Sequence, residues 1–223
     1  MPRAVVFDAY GTLFDVNSLA AACEAVFPGK GEALNRLWRQ KQLEYSWLRT
    51  AIGRYRDFWA ITQDALAGAA AALGLALDSA TKTRIIYHYR TIAPMREAKE
   101  ALVLLRVRGI PRYIFSNGTI EMLRDAVRSS GLEPLLDGLM SVDESVRQYK
   151  PLPAAYAYVT RRLGMPASEI LLVSSNFFDV AGAKNAGFRV TWVNRTGAPP
   201  EVLDLIPDHT VADLIAVASL AFT

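Results

Sequence analysis

Apolar residues fall along this chain in two rhythms. Five short runs, at 4–7, 113–115, 139–142, 170–173 and 190–193, are mostly continuous rather than alternating. Strands covered on both faces read this way. Between the later runs, residues 120–130, 154–163 and 180–185 carry helical spacing. Strand–helix alternation of this kind predicts an α/β fold, a parallel sheet with helices on both sides.

Residues 16–95 break the rhythm, because no strand pattern is found there. The stretch GEALNRLWRQKQLEYSWLRTAI places Leu34, Leu37, Trp38, Tyr45, Leu48 and Ile52 near one helical face. Residues 55–75 and 81–92 also read as helices. The segment is therefore expected to be an all-helical cap, inserted after the first strand and ending near Pro94. That leaves 1–15 and 96–223 as the sheet-bearing core. The longest uncharged apolar stretch, 65–77, falls short of the roughly 20 residues a membrane-spanning helix needs, so it is expected to be a packed helix. No membrane partner is expected.

Composition narrows the function classes. The chain has 25 basic and 22 acidic residues, a net charge of +3, with no long basic run. Nucleic-acid binding therefore has little support. Cys23 is the single cysteine, so no internal disulfide is possible and a reducing, cytoplasmic setting is expected. Asp8 interrupts the first apolar run early, which argues against a secretory leader. His88 and His209 have no Cys or acid nearby at metal-ligand spacing, so zinc is not expected. A Gly-x-Ser-x-Gly elbow and a glycine-rich nucleotide fingerprint are both absent from the sequence. Cys23 lies among alanines on an expected helix and reads as packing rather than nucleophile.

The chemistry gathers where strands are expected to end. The first run gives Asp8 with Thr12; the second gives Ser116-Asn117-Gly118; the fourth gives Ser174-Ser175-Asn176 and then Asp179. The third leads through a loop to Lys150-Pro151. In an open parallel sheet, ligands sit beyond the carboxyl ends of the strands, so these distant segments should face one cleft. Each residue also has a local reading. Asp8 can serve the Gly11–Thr12 turn, Ser116 and Asn117 can be turn or cap residues, Asp179 can cap a helix, and Lys150 can be a solvated loop lysine. Their convergence on one sheet edge weakens those readings jointly.

The segments VVFDAYGTLFD, WRQKQLEYSWLR, SNG, YKP and VSSNFFD resemble, in order and over nearly the whole chain, the L-2-haloacid dehalogenases of the haloacid dehalogenase superfamily. Asp-x-x-x-Thr alone would indicate only the superfamily, which is rich in phosphatases. The resemblance implies a Rossmann-like core, a helical cap, no metal or other cofactor, and a homodimer. It implies that Asp8 is the nucleophile on C2 of a small 2-haloacid. Arg39 and Asn117 would take the departing halide. Tyr10, Gln40, Leu43, Phe58 and Phe178 would line the pocket, with Phe178 standing where relatives often have tryptophan. Ser116 and backbone N–H groups after Asp8 would hold the substrate carboxylate. Water would then cleave the aspartyl ester, with Asp179 activating it and Ser174 and Asn176 orienting it. Lys150 would stabilise the oxyanion or hold Asp179, Tyr156 would support that cluster, and Thr12 would fix Asp8. For Arg39 the local alternative is a surface charge beside Arg36 and Lys41.

Tyr10 separates two enzymatic readings. Superfamily phosphatases carry a second aspartate at that position. Mg²⁺ wants hard oxygen ligands, and a phenol of pKa about 10 is a poor ligand and a poor acid near neutrality. The expected reaction is therefore metal-independent hydrolysis of short (S)-2-haloalkanoic acids to (R)-2-hydroxyalkanoic acids. A magnesium-dependent small-molecule phosphohydrolase is the alternative, and a non-catalytic scaffold is a third reading that intact Asp8, Arg39, Lys150 and Asp179 oppose.

Overall fold

The computed structural model describes residues 2–144 and 146–220. Six parallel strands form one sheet in the order β3-β2-β1-β4-β5-β6. They are β1 (Ala4–Phe7), β2 (Arg112–Ser116), β3 (Gly138–Ser141), β4 (Ile170–Ser174), β5 (Arg189–Val193) and β6 (His209–Val211). The two central strands, β1 and β4, are buried at every position, which is why their sequences are unbroken apolar runs. The helices are α1 (Leu19–Glu24), α2 (Gly31–Ala51), α3 (Phe58–Ala72), α4 (Ser79–Tyr87), α5 (Ala98–Val107), α6 (Ile120–Ser129), α7 (Pro153–Leu163), α8 (Phe177–Asn185) and α9 (Leu214–Leu220). This is the Rossmann-like α/β architecture the strand–helix alternation predicts.

Local signals set several of the boundaries. Asp57 and Asp78 accept from Ala60 N and Thr81 N at 2.8 and 2.7 Å, capping α3 and α4. Thr119 does the same for α6 through Met122 N. The helices between β1 and β2 pack mainly as α2 on α3, with α1 against α2. Alanine-rich α3 lets α2 approach closely: Ala65, Leu66, Ala69 and Ala70 are buried beneath it.

Several elements differ from the sequence expectation. Leu48 and Ile52 are exposed, not part of the buried face of α2. That face instead runs through Leu34, Asn35, Trp38, Gln42 and Ser46, three of which are polar. Residues 55–57 precede α3 rather than belonging to it, and α4 stops at Tyr87. The helix expected over 180–185 begins at Phe177. Strand β6, α5 and α9 were not anticipated; β6 is a three-residue edge strand whose pattern is too short to read.

Connectivity places the cleft. From β1 the chain moves to one side of the sheet for β2 and β3, then crosses to the other side for β4 and β5. The crevice therefore opens at the carboxyl ends of β1 and β4, where the strand order reverses. Phe7 pairs in register with Val173 and with Ile114. Asp8 and Ser174 consequently emerge side by side, with Ser116 one step further along β2.

One close contact ties the fold to this edge. On α8, a Cβ at Gly182 would collide with the Tyr156 hydroxyl of α7. Gly182→Ala should therefore cost about 1–3 kcal/mol in denaturant unfolding. In a Tyr156→Phe background the penalty should shrink, a coupling that a double-mutant cycle measures.

Candidate active site

The carboxyl edge of the sheet brings together the side chains that the sequence scatters. Asp8 follows β1 and enters a tight loop in which Thr12, Leu13 and Phe14 N–H groups all turn back to Ala9 O. Gly11 sits in that loop at φ +91°, a conformation that favours glycine. Thr12 Oγ1 donates to Asp8 Oδ2 at 2.9 Å and accepts from Ser175 N at 2.9 Å, so it clasps the loops after β1 and β4 together. Asn176 Nδ2 donates to the same Asp8 Oδ2 at 2.7 Å, and Ser174 Oγ approaches it at 3.4 Å.

Lys150 reaches in from the loop between β3 and α7. Its Nζ lies 3.1 Å from Asp8 Oδ1 and 2.9 Å from Asp179 Oδ2, and also 4.5 Å from the Phe115 ring centre. The lysine is 1% exposed, so the reading of a solvated loop residue is excluded. Burial works to lower its pKa, but Asp179 and Asp8 outweigh that and hold it above the ordinary lysine value. Asp179, in the first turn of α8, is fully buried. Its pKa is raised by that burial, against the opposing pull of Lys150. Asp179 does not cap α8: the N-cap is Asn176. Tyr156 of α7 donates to Asp179 Oδ1 at 2.8 Å, and burial keeps its phenol protonated by raising its pKa well above normal.

The segment after β2 completes this wall. Ser116 Oγ accepts from Gly118 N at 3.0 Å, which is the turn role that an isolated Ser-Asn-Gly suggests. A Cβ at Gly118 would come within 2.8 Å of the Tyr10 ring, which explains glycine there. Asn117 Oδ1 accepts from Lys150 N at 2.9 Å. Its amide oxygen is thus committed, and the NH₂ is the end left to meet a ligand.

The helical layer covers the cleft. Arg39 on α2 donates from Nη2 to Tyr10 O at 3.3 Å, so it is not merely a surface charge beside Arg36 and Lys41. The same carbonyl accepts Asn176 Nδ2 at 3.0 Å, linking Arg39 to the group that holds Asp8. Tyr10 is buried against Phe58, Phe14 and Tyr89, with ring centres 5.3–6.4 Å away. Among the described residues its hydroxyl has no hydrogen-bond partner, and burial pushes its pKa far up, so it remains a neutral phenol. Leu43 and Phe178 line an open groove of about 640 Å³ between α2 and the sheet edge, together with Trp47, Asn176 and Gly11. Gln40 is the exception: it is exposed on α2 and has no side-chain hydrogen bond among the described residues.

Three further residues hold the site although the sequence reading gave them no role. Arg195, after β5, donates to Gly11 O, Thr12 O and Ser175 Oγ at 3.2, 2.9 and 2.7 Å, and is ion-paired with Glu97 at 2.7 Å. It braces the loop that carries Asp8. The strand-end argument applied to β5 would have found it. Trp47 donates to Lys150 O at 3.1 Å, and Gln42 accepts from Arg39 at 2.7 Å. Both lie on α2 with nothing in the apolar pattern to mark them.

The donor set disfavours a divalent cation. A metal bridging Asp8 and the Tyr10 carbonyl would need the position held by the Asn176 NH₂, which donates to both oxygens. Cys23 is buried, and its thiol pKa is pushed up to about 11 by that burial, which suits packing.

The chain is similar to known proteins over nearly its whole length. Residues 2–187 match the model of the haloacid dehalogenase-like hydrolase family. The (S)-2-haloacid dehalogenase of Pseudomonas putida is 42% identical over 217 residues, covering 97% of this chain and 95% of that protein. The (S)-2-haloacid dehalogenase of Xanthobacter autotrophicus is 45% identical over 220 residues, covering 99% and 85%. A crystal structure of L-2-haloacid dehalogenase from X. autotrophicus, with chloropropionic acid covalently bound, superimposes with a TM-score of 0.92 at 42% identity, covering 99% of this chain and 98% of that one.

Replacing the shared cation tests the electrostatics. Lys150→Met leaves two carboxylates buried without their partner and should cost about 3–5 kcal/mol near pH 8. A folded-state pKa raised above the unfolded value makes an acid's contribution largest at low pH and erodes it as pH rises through the folded pKa. Without Lys150, Asp179 should be raised further. The deficit relative to wild type should therefore be smaller at pH 5 than at pH 8, as guanidinium denaturation at the two pH values would read.

Proposed function

The chain belongs to the haloacid dehalogenase-like hydrolases, and from that premise we propose that it hydrolyses short (S)-2-haloalkanoic acids to (R)-2-hydroxyalkanoic acids without a metal. The observation that carries the reading is Asp8 with one oxygen tied by neutral donors and the other facing Lys150 beneath an aromatic, helix-covered wall. Residues 16–95 act as the cap that closes over residues 1–15 and 96–223.

In the first step an Asp8 oxygen attacks C2, the carbon–halogen bond breaks with its electron pair on the halide, and C2 inverts. Oδ2 is held by Thr12, Asn176 and Ser174, whereas among the described residues Oδ1 meets only Lys150. Oδ1 is accordingly the attacking atom. Fixing the carboxylate in place of a mobile hydration shell supplies proximity and orientation. Negative charge moves from Asp8 to the halide, towards Arg39 and the Asn117 NH₂. A fixed guanidinium there favours the transition state over the substrate. Ser116 and the N–H groups following Asp8 hold the substrate carboxylate. Tyr10, Phe58, Leu43 and Phe178 form the apolar wall. Gln40, pointing to solvent, is not assigned to it.

In the second step water attacks the Asp8 ester carbonyl. Oδ2 becomes the oxyanion and already has its donors in place. The water's proton passes to Asp179, whose raised pKa makes it a stronger base than an exposed aspartate. Lys150 holds Asp179 and Asp8 in one geometry, and Tyr156 fixes the far oxygen of Asp179. The tetrahedral adduct then collapses with cleavage of the Cγ–Oδ1 bond, and the departing C2 alkoxide takes the proton back from Asp179. The products are the hydroxyacid, halide and one proton, with Asp8 and Asp179 restored.

The partners are the 2-haloacid, water and a second copy of the chain. Exposed Leu48 and Ile52 offer apolar surface for that dimer. Among the described residues no helix is long and apolar enough to cross a membrane, and the single buried cysteine suits a reducing cytoplasm.

Halide release from (S)-2-chloropropionate should persist undiminished in excess chelator and yield the (R)-hydroxyacid. Asp8→Asn should abolish it. Single turnover in ¹⁸O-water should place label in Asp8 first. Chelator-sensitive turnover, with Mg²⁺-dependent phosphate release from small phosphoesters, would instead establish the phosphohydrolase reading.

A further inference from the structure

Within the helical layer lies a buried hydrogen-bond chain that ends on Arg39. Arg39 Nη1 donates to Gln42 Oε1 at 2.7 Å, and the Tyr89 hydroxyl donates to the same oxygen at 3.1 Å. Gln42 Nε2 donates to Thr62 Oγ1 at 2.6 Å, and Thr62 Oγ1 donates onward to Phe58 O at 2.6 Å. Gln42, Thr62 and Tyr89 are all buried. The direction of every bond is forced. Guanidinium can only donate, so the amide oxygen must face it. Thr62 spends its single proton on Phe58 O, so it accepts from the amide nitrogen. Burial raises the Tyr89 pKa, although Arg39 and Gln42 pull the other way, and the phenol keeps the proton it donates.

The chain is also uncharged. Among the described residues Arg39 forms no ion pair. By contrast, buried Arg112 and partly buried Arg195 each have a carboxylate. A glutamate at position 42 would orient Arg39 comparably but would neutralise it. An amide orients the guanidinium and leaves its field for an incoming anion.

We propose that Gln42, locked by Thr62 and Tyr89, is a positioning residue that aims Arg39 at the departing halide while leaving its charge uncompensated. This inference rests on the dehalogenase reading. Its effect falls on carbon–halogen cleavage and not on ester hydrolysis. It should therefore grow as the leaving group becomes poorer, from bromide to chloride.

The test uses Gln42→Glu, which keeps shape and acceptor but adds charge, and Tyr89→Phe, which removes one bond to Oε1. Bromide affinity is measured by titration calorimetry, and kcat/KM is measured for (S)-2-bromo- and (S)-2-chloropropionate. Gln42→Glu should weaken bromide binding roughly 10- to 100-fold and lose more activity on the chloro than on the bromo substrate. Tyr89→Phe should shift both readouts in the same direction by less. Equal losses on both substrates with bromide affinity retained would mean a merely structural role and overturn the inference, while leaving the dehalogenase reading intact. Absence of halide release by the wild type would overturn both. Should Gln42→Glu fail to fold, Tyr89→Phe carries the same comparison.

Discussion

Lys150 Nζ sits between two carboxylates, Asp8 at 3.1 Å and Asp179 at 2.9 Å, with almost no contact with water. Removing three charges from water is expensive, and one ammonium cannot compensate two carboxylates by itself. The triad retains a net negative charge. Neutral donors spread that remainder: Thr12, Asn176 and Ser174 on Asp8, and Tyr156 on Asp179. Arg39, anchored on the Tyr10 carbonyl and on the Gln42 amide, is paired with no carboxylate among the described residues and keeps its charge for an incoming anion. In the proposed reaction negative charge moves across the site, away from Lys150 and towards Arg39.

This constraint explains why helices and sheet are stitched at backbone carbonyls of the site. Arg39 bonds Tyr10 O, and Trp47 bonds Lys150 O. Further out, Tyr55 donates to Asp143 and Tyr149 to Arg56 O. The cover is thus registered on the residues proposed to carry the chemistry. Arg195 does the same from below, gripping Gly11 O and Thr12 O. A carboxylate nucleophile is effective only when fixed and poorly hydrated, and these contacts supply both conditions.

The aromatic wall is chemically quiet. Tyr10, Tyr89, Tyr149 and Tyr156 all have pKa values raised, in each case chiefly by burial. They contribute volume, dryness and neutral donors, and leave the charge changes to Asp8, Asp179, Lys150 and Arg39.

The sequence by itself marked five of the six strands and the polar residues at their ends. Mostly continuous apolar runs marked β1, β2, β3, β4 and β5 because buried parallel strands need them, and polar residues interrupting or following their ends marked Asp8, Ser116, Ser174 and Asp179. The resemblance added Arg39, which its charge pattern alone would have left on the surface. Only the tertiary structure decided which carboxylates share Lys150, that Gln42 rather than Gln40 faces inward, and that Leu48 and Ile52 lie outside. The role of Tyr89 likewise became visible only after folding, whereas Arg195 follows the end of β5, where the strand-end pattern would have marked it. The reason is physical. Strand identity is written in neighbouring residues, but a hydrogen-bond partner is fixed by three-dimensional approach between segments far apart in the chain. A one-dimensional pattern records that a polar group is buried and cannot record what satisfies it.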